Sequence, residues 1–377
     1  MDKILKIDVE NMMATVQCGT SLARLEEVNK LGLTTGHCPQ SQSLTFMGGL
    51  VATRSIGQFS TYYGAVEDMV CGLEAVMPDG EIIRIRNVPR RSAGPELRQL
   101  FIGLEGAMDV ISEITVKLFT YYPDDMWRGG YIVKDYSVGL DAIREVMVKG
   151  YRPSVVRLYD KPDVDRNYGS VKLKGEEAFM FFIVEGPPIL SKATGERIAE
   201  IAISFGAKDI GMKAVDHWLE TRNDICNLYG TEKIREMFRQ TKTLYAVVEV
   251  STDWSDIKGI YKDVMTNIPP KFEHLALLGG HVSHSYQTGT NIYFVFDLII
   301  QDPLNATQER WELSKAICEE ILKYPTGGIV HHHGVGKMRL KLIDRELGSS
   351  YPLMRRLKNM MDPAGIMNPG TLIPLEK

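Results

Sequence analysis

The sequence predicts an α+β protein in two domains, on three observations. Short alternating runs with tight turn signals fill the first 120 residues. Strand-like and helix-like runs then alternate over residues 121–336, and residues 337–377 return to helical spacing before a loop rich in proline and glycine. At 377 residues, 44% hydrophobic and 24% charged, the chain is long enough to bury a sizeable core.

Residues 4–17 carry two short β-type runs around Glu10-Asn11, and residues 21–30 space their apolar side chains as a helix that stops at Gly32. From 37 to 60 glycine, serine, threonine and glutamine dominate without a period, which reads as a loop shaped by its function. Strands over 68–77 and 81–86 flank Pro78-Asp79-Gly80, the clearest hairpin in the chain, and a further strand spans 110–118.

Beyond the Tyr121-Tyr122-Pro123-Asp124-Asp125 break, helices are predicted over 138–148, 191–204, 215–228, 257–267 and 307–322. Strands are predicted over 154–159, 178–184, 244–250, 275–284 and 291–300. That pattern suits an antiparallel sheet with helices over one face. The tail closes in DPAGIMNPG, residues 362–370, whose prolines and glycines read as an ordered wrap-around loop.

A net charge of −4 and a pI near 6.1 leave no basic footprint for nucleic acid or an anionic membrane, so small molecules or proteins are the expected partners. No apolar run approaches the roughly 20 residues that span a bilayer, and the first residues lack the layout of a signal peptide. Cys18, Cys38, Cys71, Cys226 and Cys318 are scattered without a CxxC pair. They read as reduced thiols of a cytoplasmic protein.

Five segments could carry chemistry. Residues 36–58 combine four glycines with many hydroxyl and amide donors, suited either to a planar, phosphorylated ligand or to an irregular structural loop. Gly103-Leu104-Glu105-Gly106-Ala107 reads alone as a tight turn or as backbone contact with a ligand. His331, His332 and His333, flanked by glycines, gather groups that exchange protons near pH 7. Their rival readings are a surface basic cluster and a metal site, but on an extended chain only His331 and His333 share a face, so one metal takes two of them at most. In residues 281–289, His281, His284 and Tyr286 stand at a strand end, where a phenol and imidazoles either transfer protons or simply hydrogen-bond. Arg157, inside the apolar run PSVVRLYD, needs an anion, either a protein acid such as Asp160 or a substrate.

TTGHCPQS, GGLVATRSIGQ, YGAVEDMV, PRRSAGPELRQLFIG, PSVVRLYD, SHSYQTG and HHHGVGKMR, in this order, resemble the FAD-linked oxidase family of the vanillyl-alcohol-oxidase type. The likeness covers nearly the whole chain and favours the alkyldihydroxyacetonephosphate synthase branch; DPAGIMNPG is shared with the hydroxyacid dehydrogenase branch. It implies the second lobe of a PCMH-type FAD-binding domain over residues 1–120, an α+β cap over 121–336, and a return to the FAD domain over 337–377. FAD would be lined by Gln40, Ser41, Thr45, Gly48, Gly49, Thr53, Arg54, Ser55, Gly57, Glu105, Gly106, Val110 and Ile111, with no metal involved. Arg157 would hold the phosphate or carboxylate of a small substrate, and Tyr286 would transfer protons. His331, His332 and His333 would face the flavin, with His37 a further active-site histidine.

The reaction implied exchanges an acyl group for an alkoxide without net oxidation. In the dehydrogenase branch, acting on glycolate or D-lactate, a histidine would instead take the hydroxyl proton while hydride passes to FAD. A third reading is a flavin-poor accessory subunit or binding protein. Nothing here matches the family's glycine-rich first lobe, so either a separate polypeptide supplies it, or the chain is a truncated product, or FAD is bound weakly, and an open edge would favour association, homo-oligomers included. Phe46, Ile56, Leu104, Ala107 and Asp109 depart from the family pattern at flavin-facing positions. A carboxylate at 109 beside a flavin or a phosphate is unfavourable.

Overall fold

The computed structural model describes residues 1–228 and 231–375. Contacts within the chain divide it into two units, Met1–Tyr121 with His332–Lys377, and Tyr122–His331. The division therefore falls inside the triple histidine.

In the first unit the strands are β1 (Ile4–Asp8), β2 (Met13–Gln17), β3 (Leu33–Thr34), β4 (Val70–Val76), β5 (Ile82–Ile85), β6 (Val110–Lys117) and β7 (Phe119–Thr120). Five of them form an antiparallel sheet in the order β1-β2-β6-β4-β5, while β3 pairs with β7. The two-residue period of a strand turns Ala14 and Val16 of β2 and Ile114 and Val116 of β6 into one core with Leu22, Leu50 and Val51. The hairpin forms where the sequence predicts it. Gly80 takes φ 89° and donates its N–H to Met77 O at 2.9 Å, a backbone state that a side chain would strain.

The predicted loop over 37–60 is not irregular throughout, because Met47–Ala52 is helical. The predicted helix over 21–30 is a single α-turn, Leu22–Leu25, followed by a 3-10 stretch, Glu26–Leu31. At the chain end, the helix Tyr351–Met361 leads into the closing loop. Asp362 accepts from the N–H groups of Ile366 and Met367 at 3.1 and 2.9 Å, and Lys358 bonds Asp362, Ala107 O and Met367 O. The loop is ordered because its own carboxylate replaces the helix bonds that its prolines forbid.

The second unit contains β8 (Trp127–Val133), β9 (Val155–Tyr159), β10 (Ala178–Val184), β11 (Lys208–Gly211), β12 (Thr243–Asp253), β13 (Leu275–Val282) and β14 (Gly289–Ile299). They form one antiparallel sheet, ordered β11-β8-β10-β9-β13-β14-β12. Every residue of β9 and β10 is buried. Helices over a single face cannot do that, and the expectation of a one-faced cover is corrected here. Leu158 packs against Gly139 of the helix Tyr136–Val148, and Gly280 against Tyr261 of the helix Ile257–Asn267. On the opposite face, Phe181 meets Trp218 of the helix Lys213–Thr221, and His281 meets Asp163 of the helix Lys161–Asn167.

Several elements were not predicted from sequence: β8, β11, and the helices Lys161–Asn167 and Glu232–Thr241. β8 contains Gly129-Gly130, which reads locally as a strand breaker. Added Cβ atoms there would lie 2.6 Å from the Trp127 ring and 2.8 Å from Gly211 O, so close packing explains both glycines. The predicted helix over 215–228 is two helices, Lys213–Thr221 and Asp224–Leu228.

Candidate functional site

In the first unit the 36–58 segment is tied down before it reaches the helix Met47–Ala52. Buried Glu26 accepts from the hydroxyls of Thr34 and Thr35 and from the Thr35 N–H. This fixes the chain just ahead of His37, which is buried with Nε2 3.2 Å from the Ser55 hydroxyl and with Nδ1 unpartnered. Burial pushes the His37 imidazole down to about 4, so the ring is neutral at pH 7.

The glycines of this segment divide into two kinds. A Cβ on Gly48 would lie 2.8 Å from the Cys18 side chain, and one on Gly57 would lie 2.6 Å from Cys38 N. Those two let the chain pack on itself. Gly49 and Gly106 have nothing within 4 Å of the same position, and Gln40 and Val110 are exposed. Ser41, Thr45, Thr53 and Ile111 are half-buried; Thr53 donates its hydroxyl to Gly49 O at 3.0 Å, while Ile111 pairs with Ala75 in the sheet. Arg54 turns toward residues 99–103, with Glu67 3.9 Å away.

Glu105 has a role that its sequence context did not reveal. Its carboxylate accepts from the N–H of Val335 at 2.6 Å and of Gly336 at 3.0 Å, and its own carbonyl accepts from Asn368 Nδ2 at 2.6 Å. Gly334 takes φ 75°, and a Cβ there would sit 2.8 Å from the Glu105 carboxylate. One acid thus holds the histidine-glycine turn and the closing loop to the Gly103–Gly106 turn. Asp109 is 3% exposed with Oδ2 unpartnered, and burial pushes its carboxyl up to about 7.

In the second unit Tyr286 Oη lies 2.8 Å from His331 Nε2, and the His331 ring stacks on His284 at 5.3 Å. Asn291 holds this strand end by accepting from the N–H groups of Ser283 and His284. His331 is therefore placed with the phenol. His332 and His333 belong to the first unit, with rings 4.2 Å apart, His332 buried and His333 exposed. The backbone bends through all three, so the alternation expected of an extended chain is replaced by this parting.

Arg157 is 5% exposed and lies over the Trp218 ring at 5.1 Å. Its Nε has no partner, and no carboxylate of the described residues pairs with it. Asp160, the protein acid weighed for it, instead caps the helix Lys161–Asn167 and accepts from Gly280 N at 2.6 Å and Tyr261 Oη at 2.9 Å. Asp160 is therefore not the counter-charge of Arg157.

A flavin fits the residues of the first unit. Open backbone at Gly49 and Gly106, hydroxyls at Ser41, Thr45 and Ser55, and the orphaned His37 Nδ1 are groups of the kind that would hydrogen-bond ring heteroatoms and phosphate oxygens. Asp109 opposes an anion nearby only in its ionised form.

Comparison with known proteins agrees with this reading. The family described as FAD linked oxidases, C-terminal domain, matches residues 130–372, and the family described as FAD binding domain matches residues 1–86. The chain belongs to the FAD-linked oxidase family, with the PCMH-type FAD-binding fold, and its cofactor is FAD. It is 45% identical over 388 residues to the Uncharacterized FAD-linked oxidoreductase YgcU of Escherichia coli (strain K12), covering all of this chain and 78% of that protein. It is 28% identical over 408 residues to the Alkyldihydroxyacetonephosphate synthase of Caenorhabditis elegans, covering 100% of this chain and 67% of the relative. A solved alkyldihydroxyacetonephosphate synthase has the same fold, with a TM-score of 0.74 at 22% identity over 98% of this chain and 66% of that one. Among the described residues no helix is long and apolar enough to cross a membrane.

Proposed function

We propose that this FAD-linked oxidoreductase is synthase-like and acts on a small substrate whose phosphate or carboxylate is received by Arg157. The observation that supports this reading is the state of Arg157, 5% exposed and without a carboxylate partner among the described residues. A buried guanidinium lacking a counter-charge carries a desolvation cost of several kcal/mol, which an incoming anion offsets with charge-assisted hydrogen bonds. Tyr286 and His331 form the proton-moving pair, and His37, neutral and bonded to Ser55, orients a ligand by hydrogen bonding rather than by charge. Gly49, Gly106, Ser41, Thr45 and Ser55 would hold FAD, which supplies electron-accepting chemistry at a substrate carbon.

The test uses the purified chain saturated with FAD and desalted, its flavin bands recorded, then titrated with inorganic phosphate and with glycolate. Arg157→Met is expected to weaken anion binding about a hundredfold while leaving flavin content unchanged. Equal binding by the variant would remove Arg157 from the site. Dye reduction by glycolate or D-lactate would move the protein to the hydroxyacid dehydrogenase branch.

A further inference from the structure

On the same face as Arg157, the structure joins two residues that stand 118 apart in the chain. Asp163 Oδ2 lies 2.6 Å from His281 Nδ1; the Asp163 side chain is fully buried and that of His281 is 14% exposed. The other Asp163 oxygen accepts from Asn167 Nδ2, so the carboxylate is held from its own helix. His281 stands directly opposite Tyr159 on one neighbouring strand and Tyr293 on the other. Both rings lie 4.9 Å from the imidazole, the Tyr293 ring within 10° of parallel. Bond and stacking together fix the plane of the imidazole.

An ionised carboxylate only accepts, so the bond to Asp163 puts a proton on Nδ1, and in the neutral ring Nε2 then presents a lone pair. Nε2 has no hydrogen-bond partner among the described residues. Arg157 is two residues before Tyr159 on β9, and the pairing of Tyr159 with His281 makes Arg157 and His281 diagonal neighbours on one face, with backbones roughly 7–8 Å apart. That separation suits one small molecule spanning a cation and a hydrogen-bond acceptor.

We infer that His281, oriented by Asp163, is a further substrate-contacting residue whose Nε2 accepts a hydrogen bond from a hydroxyl of the molecule whose anion Arg157 holds. The inference rests on the proposed role of Arg157. It makes the face selective for an anion that carries a hydroxyl group. A tie between helix and sheet would need only Nδ1, and the orientation of Nε2 would then be without consequence.

The variant H281N separates the two roles, since an asparagine amide can still donate to Asp163 from near the Nδ1 position but has nothing at Nε2. D163N tests the orientation, because an amide can donate to Nδ1 and turn Nε2 into a donor. Binding to the FAD-loaded protein is measured by calorimetry for two matched pairs, glycerol 3-phosphate against methyl phosphate and glycolate against acetate. The wild type is expected to prefer the hydroxylated member of one pair by about tenfold, and the preferred pair tells phosphate from carboxylate. H281N is expected to bind methyl phosphate or acetate as the wild type does and to lose the preference, and D163N, whose His281 Nε2–H can only donate to the hydroxyl, to weaken it. No preference in the wild type, or a preference retained by H281N, overturns the inference while leaving the Arg157 site intact if R157M abolishes binding. Absence of anion binding in the wild type, or full binding by R157M, overturns the Arg157 reading and this inference with it.

Discussion

Tyr286 Oη and His331 Nε2 lie 2.8 Å apart although 45 residues separate them. Each group can donate to or accept from the other, so the pair can pass a proton without moving its backbone. Removing the phenol oxygen with Tyr286→Phe keeps the ring and its packing. Turnover should fall by about 10²–10⁴-fold, with the flavin spectrum and the thermal midpoint unchanged. A variant that turns over normally would leave the pair structural.

Glu105 bonds two backbone N–H groups of the turn that follows the histidines, so it acts as a clamp. Glu105→Gln puts an amide where one carboxylate oxygen was, turning a donor toward a donor. Losing one charge-assisted bond should destabilise the first unit by about 1.5–3 kcal/mol. Chemical denaturation followed by far-ultraviolet circular dichroism would measure the loss, and an unchanged midpoint would contradict the clamp.

Asp109 has its folded-state carboxyl raised to about 7 from 3.8 by burial. Between those values the folded state binds the extra proton, so this group favours folding at low pH, and its contribution is lost as pH rises through about 7. Asp109→Asn cannot ionise and should flatten the decline in stability between pH 6 and 9. If the proposed cofactor segments lie near it, FAD affinity should also become less dependent on pH over that range, because in the wild type the buried Asp109 carboxyl becomes increasingly charged as pH rises through about 7. Parallel pH profiles for the two proteins would rule this out.

His37 has the opposite sign. Its folded-state value is lowered to about 4 from 6.5, so the unfolded chain takes up the proton first and stability falls as pH drops from 6.5 toward 4. The proton resonances of this imidazole should stay at neutral-ring positions at pH 5, where an exposed histidine is already charged. A midpoint near 6.5 in an NMR titration would refute the burial account.

Much of the architecture was legible because burial writes a period into the chain. The run AFMFFIV announced β10 at its observed bounds, and the helix Ile257–Asn267 followed from apolar spacing. β8 was illegible because Gly129 and Gly130 carry no propensity signal and are explained only by the Trp127 ring and by Gly211 of the neighbouring strand. The helix Lys161–Asn167 was missed although Asp160 and Pro162 form a recognisable start, the Asp160 carboxylate accepting from Asp163 N. Reading that cap would have placed Asp163 on a helix, but not beside His281.

The sequence by itself determined the α+β class, most of the strands and helices, the family, and which residue types stand in the candidate segments. Tertiary structure alone decided what those residues touch. It sent His331 to Tyr286 while His332 and His333 turned to each other, and it used the Glu105 carboxylate on backbone N–H groups 230 and 231 residues away. It also left Arg157 without an acid among the described residues and gave Asp163 to His281. The physical reason is that periodicity records only which face of an element is buried, whereas partners are set by strand register and by backbone bends that bring distant segments together.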